Sequence, residues 1–145
     1  MQTRLSLVWI LPAILCSTAG GAVMHLGLNY PDLFSAVVSA DGAMRLYDVG
    51  NNDGDYYVKN RLRLLDAIER NGDAARNLPA LMLLGSMFGG GGANDEYLNR
   101  LKAAGMRDLD YQDCRHFGHD CDAMTAACFP AVMATFYNGL GDFAP

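Results

Sequence analysis

The stretch ILCSTAGGAVMHLGLNYPDLF, residues 14–34, decides between two interpretations of the chain. In the first, the apolar residues 5–15 form a buried strand that turns directly into a helix. In the second, residues 1–19 are a secretory signal peptide, with a basic start, an apolar middle, and the small residues Ser17 and Ala19 before the cleavage site. The two interpretations exclude each other, because cleavage after Ala19 removes both the strand and the turn.

Composition excludes several classes of function. The chain has 145 residues, of which 51% are hydrophobic and 19% are charged, as expected for one globular domain over residues 1–145. Its net charge of −5 and the lack of a basic run predict no nucleic-acid partner. The longest apolar run, residues 5–16, is too short and too interrupted by proline to predict a membrane span.

Apolar strands alternate with amphipathic helices along the chain. The predicted strands span residues 5–15, 35–40, 79–85 and 108–114. The predicted helices span residues 20–30, 58–72, 94–105 and 122–140, with Pro130 kinking the last one, and residues 49–55 and 89–92 are predicted loops. This alternation predicts a three-layer α/β fold with a mostly parallel sheet of about four strands. It favours the strand interpretation, because residues 5–15 supply the first strand.

Three stretches, in this order, carry a further signal: STAGGAVMHLGLNYPDLFSAVVSADGAM, then LPALMLLGS with NDEYLNRLKAAG, then LDYQDCRHFGHDCDAM. They resemble the nucleophile elbow with its helix and next strand, the strand and helix around the acid loop, and the last strand with the histidine loop of the α/β-hydrolase superfamily. The closest likeness is to the branch with esterase D and the feruloyl and acetylxylan esterases. The resemblance covers residues 6–138. It implies a truncated α/β-hydrolase fold, formed by the last four strands of the family's sheet.

The resemblance also implies an activity, the hydrolysis of small acyl esters by a Ser/Thr-His-Asp arrangement without cofactor or metal. It makes Thr18 the nucleophile, with Ser17 one residue earlier as the other candidate, and the backbone N–H of Ala19 an oxyanion donor. His119, in the loop after the last strand, is the expected general base. Asp95 is the expected acid, because no carboxylate directly follows the 79–85 strand.

The histidine loop contains a second candidate base, His116, three residues before His119. Three departures from the family pattern leave two other functions open. The nucleophile position holds Thr18 in place of serine, no carboxylate directly follows the 79–85 strand, and no segment supplies the second oxyanion donor. One is an inactive hydrolase half that binds a partner or forms a homodimer through its open first strand. The other is a small secreted α/β protein without enzymatic activity. The apolar amino-terminal segment favours a secreted or extracytoplasmic location.

Four cysteines, Cys16, Cys114, Cys121 and Cys128, lack the spacing of a zinc site. Their number allows two disulfides, one disulfide with two thiols, or buried thiols only. Cys121 and Cys128 are too far apart to pair on one helix, at roughly 10 Å. Cys114 can pair more easily with either of them.

Overall fold

The computed structural model describes residues 11–44, 64–87 and 93–140. The strands are β1 (Leu11–Cys16), β2 (Phe34–Ala40), β3 (Ala80–Leu84) and β4 (Leu109–Asp113). The helices are α1 (Ser17–Asn29), α2 (Leu64–Asn71), α3 (Asp73–Arg76), α4 (Ala93–Ala103), α5 (Cys121–Ala127) and α6 (Phe129–Leu140). A turn of 3₁₀ helix, Arg115–Phe117, follows β4.

All four described strands are parallel and follow the order β1-β2-β3-β4 in the sheet. Connections between parallel strands are almost always right-handed, so successive connections in one direction put their helices on one face of the sheet. The buried clusters agree with this rule. Residues of α1, α2 and α4 form the core on one face, and residues of α5 and α6 form a smaller core on the other. The predicted three-layer α/β fold is therefore confirmed.

The central strands are buried on both faces, which explains their continuous apolar sequence. In β3, Met82 and Leu84 contact the helices of the larger core, whereas Leu81 and Leu83 contact the smaller one. All four side chains are at most 1% exposed. Periodicity alone would not have told such a strand from a short buried helix, but its length and bounding residues did.

Most predicted elements agree with the structure to within a few residues. β2, β3 and β4 coincide with the predicted strands, and β2 begins one residue earlier, at Phe34. Helix α1 begins at Ser17, three residues before its predicted start, because β1 passes into it without a loop. Several predictions lie outside the described residues. They are residues 5–10 of the first strand, the loops at 49–55 and 89–92, and residues 58–63 of the 58–72 helix.

The last predicted helix is wrong in one respect: it is two helices, and it is broken before Pro130 rather than kinked there. Proline has no N–H to donate and its ring crowds the preceding turn. Cys128, at the break, has a φ of −98° and a ψ of 13°. Proline is then well placed as the second residue of α6. As for membranes, none of the helices in the described part of the chain has the length and apolarity needed to cross one.

Candidate functional site

Ser17, Asp41 and His119 follow three different strands at the same edge of the sheet. Ser17 comes directly after β1, Asp41 directly after β2, and His119 in the loop after β4. The carboxyl ends of parallel strands share one edge, which is where ligand sites of open α/β sheets lie. The topology thus gathers a hydroxyl, a carboxylate and an imidazole at one edge.

The elbow between β1 and α1 is fixed to the segment that follows β2. Ala43 N–H donates a 3.0 Å hydrogen bond to the Ser17 carbonyl. The two segments touch through their backbones, since a Cβ on Gly20 would lie 2.9 Å from Gly42 Cα. Both glycines are therefore required by close approach, and they hold the elbow against the segment that carries Asp41.

Ser17 has the backbone conformation of a strained turn residue. Its φ is +59°, in the left-handed region that favours glycine, whereas Cys16 before it is extended. Such strain costs about 1–3 kcal/mol and clusters at functional sites, including the strand-to-helix elbow of hydrolases. Thr18, the position first expected to be the nucleophile, is exposed in the first turn of α1, as is Ala19.

The amino end of α1 lies at this edge. Within the described residues no side chain caps the helix, and its first turn consists of Ser, Thr, Ala and Gly. The first backbone N–H groups of a helix have no partners inside the helix, and the helix dipole favours negative charge there. Ser17 is half-buried, and its hydroxyl makes no hydrogen bond to another described residue.

Asp41 and His119 form the central pair of the site. His119 Nδ1 lies 2.6 Å from Asp41 Oδ2, and the same oxygen accepts a 3.1 Å hydrogen bond from Met87 N–H. The Asp41 side chain is fully buried, whereas that of His119 is 27% exposed. An ionised carboxylate can only accept, so Nδ1 carries the proton and Nε2 is left as the basic nitrogen.

The carboxylate of Asp41 occupies the space that a side chain at residue 85 would fill. A Cβ on Gly85 would lie 2.4 Å from Asp41 Cγ. The adjacent Ser86 N–H donates a 2.8 Å hydrogen bond to the carbonyl of Gly118, the residue before His119. The segment after β3 thus makes room for the carboxylate and fixes the histidine loop.

A disulfide joins Cys16 to Cys121, with a Cα–Cα distance of 6.1 Å. Its two ends are the residue before Ser17 and the second residue after His119. A ring nitrogen of His119 and the two sulfurs lie within 4.8 Å of one another. The bond therefore brings the elbow and the histidine loop together. Because both sulfurs are in the disulfide, this trio does not offer the thiolates that a metal ion needs.

The structure does not bring Asp95 to His119. Asp95 lies at the start of α4, where its Oδ1 accepts a 3.1 Å hydrogen bond from Arg115. Arg115 Nε also contacts Asp113, at 3.3 Å. These groups are between 37% and 58% exposed, as is usual for a surface ion-pair network. The other expected base, His116, is exposed and stacks against Phe117.

Two features of this site were not predicted from the sequence, the role of Asp41 and the pairing of Cys16 with Cys121. A signal for Asp41 was present, because it is a carboxylate directly after a buried apolar strand, in the segment SAVVSADG. Cys16 was hidden because its partner is 105 residues away.

Comparison of the chain with protein-family models, curated proteins and solved structures found no match.

Proposed function

We propose that the protein hydrolyses small carboxylic esters, with Ser17 as nucleophile, His119 as general base and Asp41 as the residue that orients the histidine. The observation that carries this proposal is the pairing of the buried Asp41 with His119 at the sheet edge where Ser17 directly follows β1. A base held by a buried carboxylate is the arrangement that activates a serine hydroxyl.

In the proposed reaction Ser17 Oγ attacks the ester carbonyl while His119 Nε2 takes its proton. Asp41 accepts the Nδ1–H bond, keeps the imidazole in the useful tautomer and stabilises the imidazolium. His119 then protonates the leaving alcohol. Water, activated by the same histidine, hydrolyses the acyl-enzyme. The hydroxyl must turn toward Nε2 when substrate binds, and such hydrogen bonds often tighten only in the complex.

Backbone strain favours Ser17 over Thr18 as the nucleophile. The elbow needs a residue with positive φ, and Ser17 has it at +59°. The oxyanion would then be bound by the N–H of the next residue, which is Thr18. If Thr18 were the nucleophile, that donor would be Ala19.

The test is hydrolysis of p-nitrophenyl acetate by the wild type and four variants. We expect Ser17→Ala and His119→Ala each to lower the enzymatic rate at least about 1000-fold. The matched controls Thr18→Ala and His116→Ala should stay within about threefold, since neither side chain takes part in the proposed reaction and Thr18→Ala keeps the backbone N–H that binds the oxyanion. An active-site phosphonate should label Ser17, as read by peptide mass. Full activity in Ser17→Ala, or labelling at Thr18, would contradict the assignment.

A second candidate function is self-association through β1. Among the described strands, β1 pairs only with β2, and Leu15 on it is 42% exposed. An unpaired strand edge is a template for a second copy of the chain. Light scattering should then find a dimer that Leu15→Lys weakens and Leu33→Lys does not, since Leu33 is also an exposed leucine, at 52%, but lies outside the strand. A monomer at all concentrations excludes this candidate.

An oxidising location, outside the cytoplasm, is part of the proposal. The Cys16–Cys121 disulfide supports it, because disulfides persist mainly in such compartments. The same bond weighs against the non-enzymatic secreted protein, because signal-peptide cleavage after Ala19, if it precedes folding, would remove Cys16 and Ser17 before the bond could form.

A further inference from the structure

A second pair of cysteines, Cys114 and Cys128, lies close together near the carboxyl end of α5, opposite the end that carries Cys121. Cys114 directly follows β4, and Cys128 lies between α5 and α6. Their sulfurs are 3.1 Å apart. Cys114 is 1% exposed and its N–H donates a 3.0 Å hydrogen bond to the Leu84 carbonyl, so its backbone is fixed to β3. Cys128 is half-buried, and both cysteines are free thiols in this structure.

We propose that Cys114 and Cys128 form a second disulfide, which closes the histidine loop covalently. Disulfide sulfurs are about 2.0 Å apart, so the pair needs to approach by only about 1 Å. The loop between them contains His119 and Cys121, the end of the first disulfide. The proposed disulfide would then link the residues on either side of segment 115–127, and Cys121 within this segment would link it to Cys16 at the β1–α1 elbow.

The surroundings favour this bond over other pairings. Cys121 is the first of the seven residues of α5 and Cys128 directly follows the last, so the helix keeps the two cysteines apart. Cys121 is already bonded to Cys16. All four cysteines belong to the smaller core, where Cys114 and Cys128 contact each other directly. Each cysteine thus has one close partner.

The oxidant is a small-molecule disulfide such as oxidised glutathione. The more exposed Cys128 thiolate attacks it, forms a mixed disulfide and releases one glutathione thiolate. The Cys114 thiolate then attacks Cys128 Sγ, which forms the protein disulfide and releases the second glutathione. Two protein thiols are oxidised and one glutathione disulfide is reduced, and the two protons lost by the protein thiols are taken up by the two glutathione thiolates.

The second step is expected to be the slow one. Burial, together with the hydrogen bond and charge of Cys128, raises the pKa of Cys114 to about 12. Its thiolate is therefore scarce, and it stays scarce after the mixed disulfide forms because burial, the largest cause of the raised pKa, remains. Oxidation should accelerate with rising pH.

The experiment incubates the full chain with oxidised glutathione until the thiol count is constant, then denatures it and alkylates with N-ethylmaleimide. We expect no alkylated cysteine. Cleavage by trypsin and cyanogen bromide, which cuts after Met124 and so separates Cys121 from Cys128, should yield a Cys114–Cys128 peptide pair. Alkylation of both Cys114 and Cys128, a persistent glutathione adduct, or Cys114 linked to another cysteine would each overturn the proposal.

The single variants Cys114→Ser and Cys128→Ser are matched controls. Oxidation should raise the melting temperature of the wild type by about 10 °C, as expected for a closed loop of this length, and leave both variants unchanged. A wild-type shift no larger than that of the variants counts against the bond. None of these readouts depends on ester hydrolysis, so the proposal stands or fails separately from the proposed function.

Discussion

Two carboxylates of this protein, Asp41 and Asp95, are each paired with a basic side chain, but in opposite surroundings. Asp41 is fully buried and lies 2.6 Å from His119, with Met87 N–H as a second donor. Asp95 is 37% exposed and lies 3.1 Å from Arg115. Water and ions can replace the partner of Asp95, whereas the partners of Asp41 are fixed by the fold.

The difference teaches that burial and partner decide how firmly a carboxylate orients its basic partner, which position along the chain does not reveal. A surface ion pair contributes about 0–1 kcal/mol, and it holds neither partner in one geometry. A buried charge must be paired, because leaving it unpaired costs about 3–5 kcal/mol. The Asp41 pair therefore fixes the imidazole in one orientation, which is what the proposed role of His119 requires.

The largest expected effect comes from Asp41→Asn. The amide cannot hold the Nδ1–H tautomer, so we expect kcat for p-nitrophenyl acetate to fall about 10,000-fold, as in serine hydrolases that lose this carboxylate. The matched variant Asp95→Asn should keep its kcat within about twofold. Equal losses in the two variants would remove the distinction between the carboxylates.

A smaller effect is expected at Gly85, which makes room for the buried carboxylate. In Gly85→Ala the new Cβ would overlap Asp41 Cγ, at 2.4 Å. We expect the free energy of unfolding to fall by about 1–3 kcal/mol, measured by urea denaturation. The neighbouring exposed residue gives the control: Ser86→Ala should change it by less than about 0.5 kcal/mol. An unperturbed Gly85→Ala would mean that Asp41 is not held where we describe it.

The smallest effect is expected for Asp95→Ala. Removing one partner of an exposed ion pair should lower the free energy of unfolding by less than about 1 kcal/mol, and salt should reduce the difference further. A double-mutant cycle with Arg115→Ala, measured at low and high salt, gives the coupling energy. A coupling of several kcal/mol would mean that Asp95, like Asp41, is held by its partner in a fixed geometry.

The sequence predicted the features that depend on local pattern. The apolar runs that became β2 and β3 and the loop that carries His119 are of this kind, because periodicity and turn residues are read within a short window. Asp41 is not, since its role depends on a histidine that is 78 residues away. The strain at Ser17 was also hidden, because it arises where a strand passes into a helix without a loop.

The disulfide between Cys16 and Cys121 gives the chain a closed covalent ring that contains β2, β3 and β4. A single cut of the backbone inside the ring opens it but releases no piece. The bond between Ala19 and Gly20, where the signal-peptide interpretation places the cleavage, lies inside this ring. In the folded, oxidised protein a cut there would leave the amino-terminal segment attached until a reductant frees it, and gels run with and without reductant would tell the two forms apart.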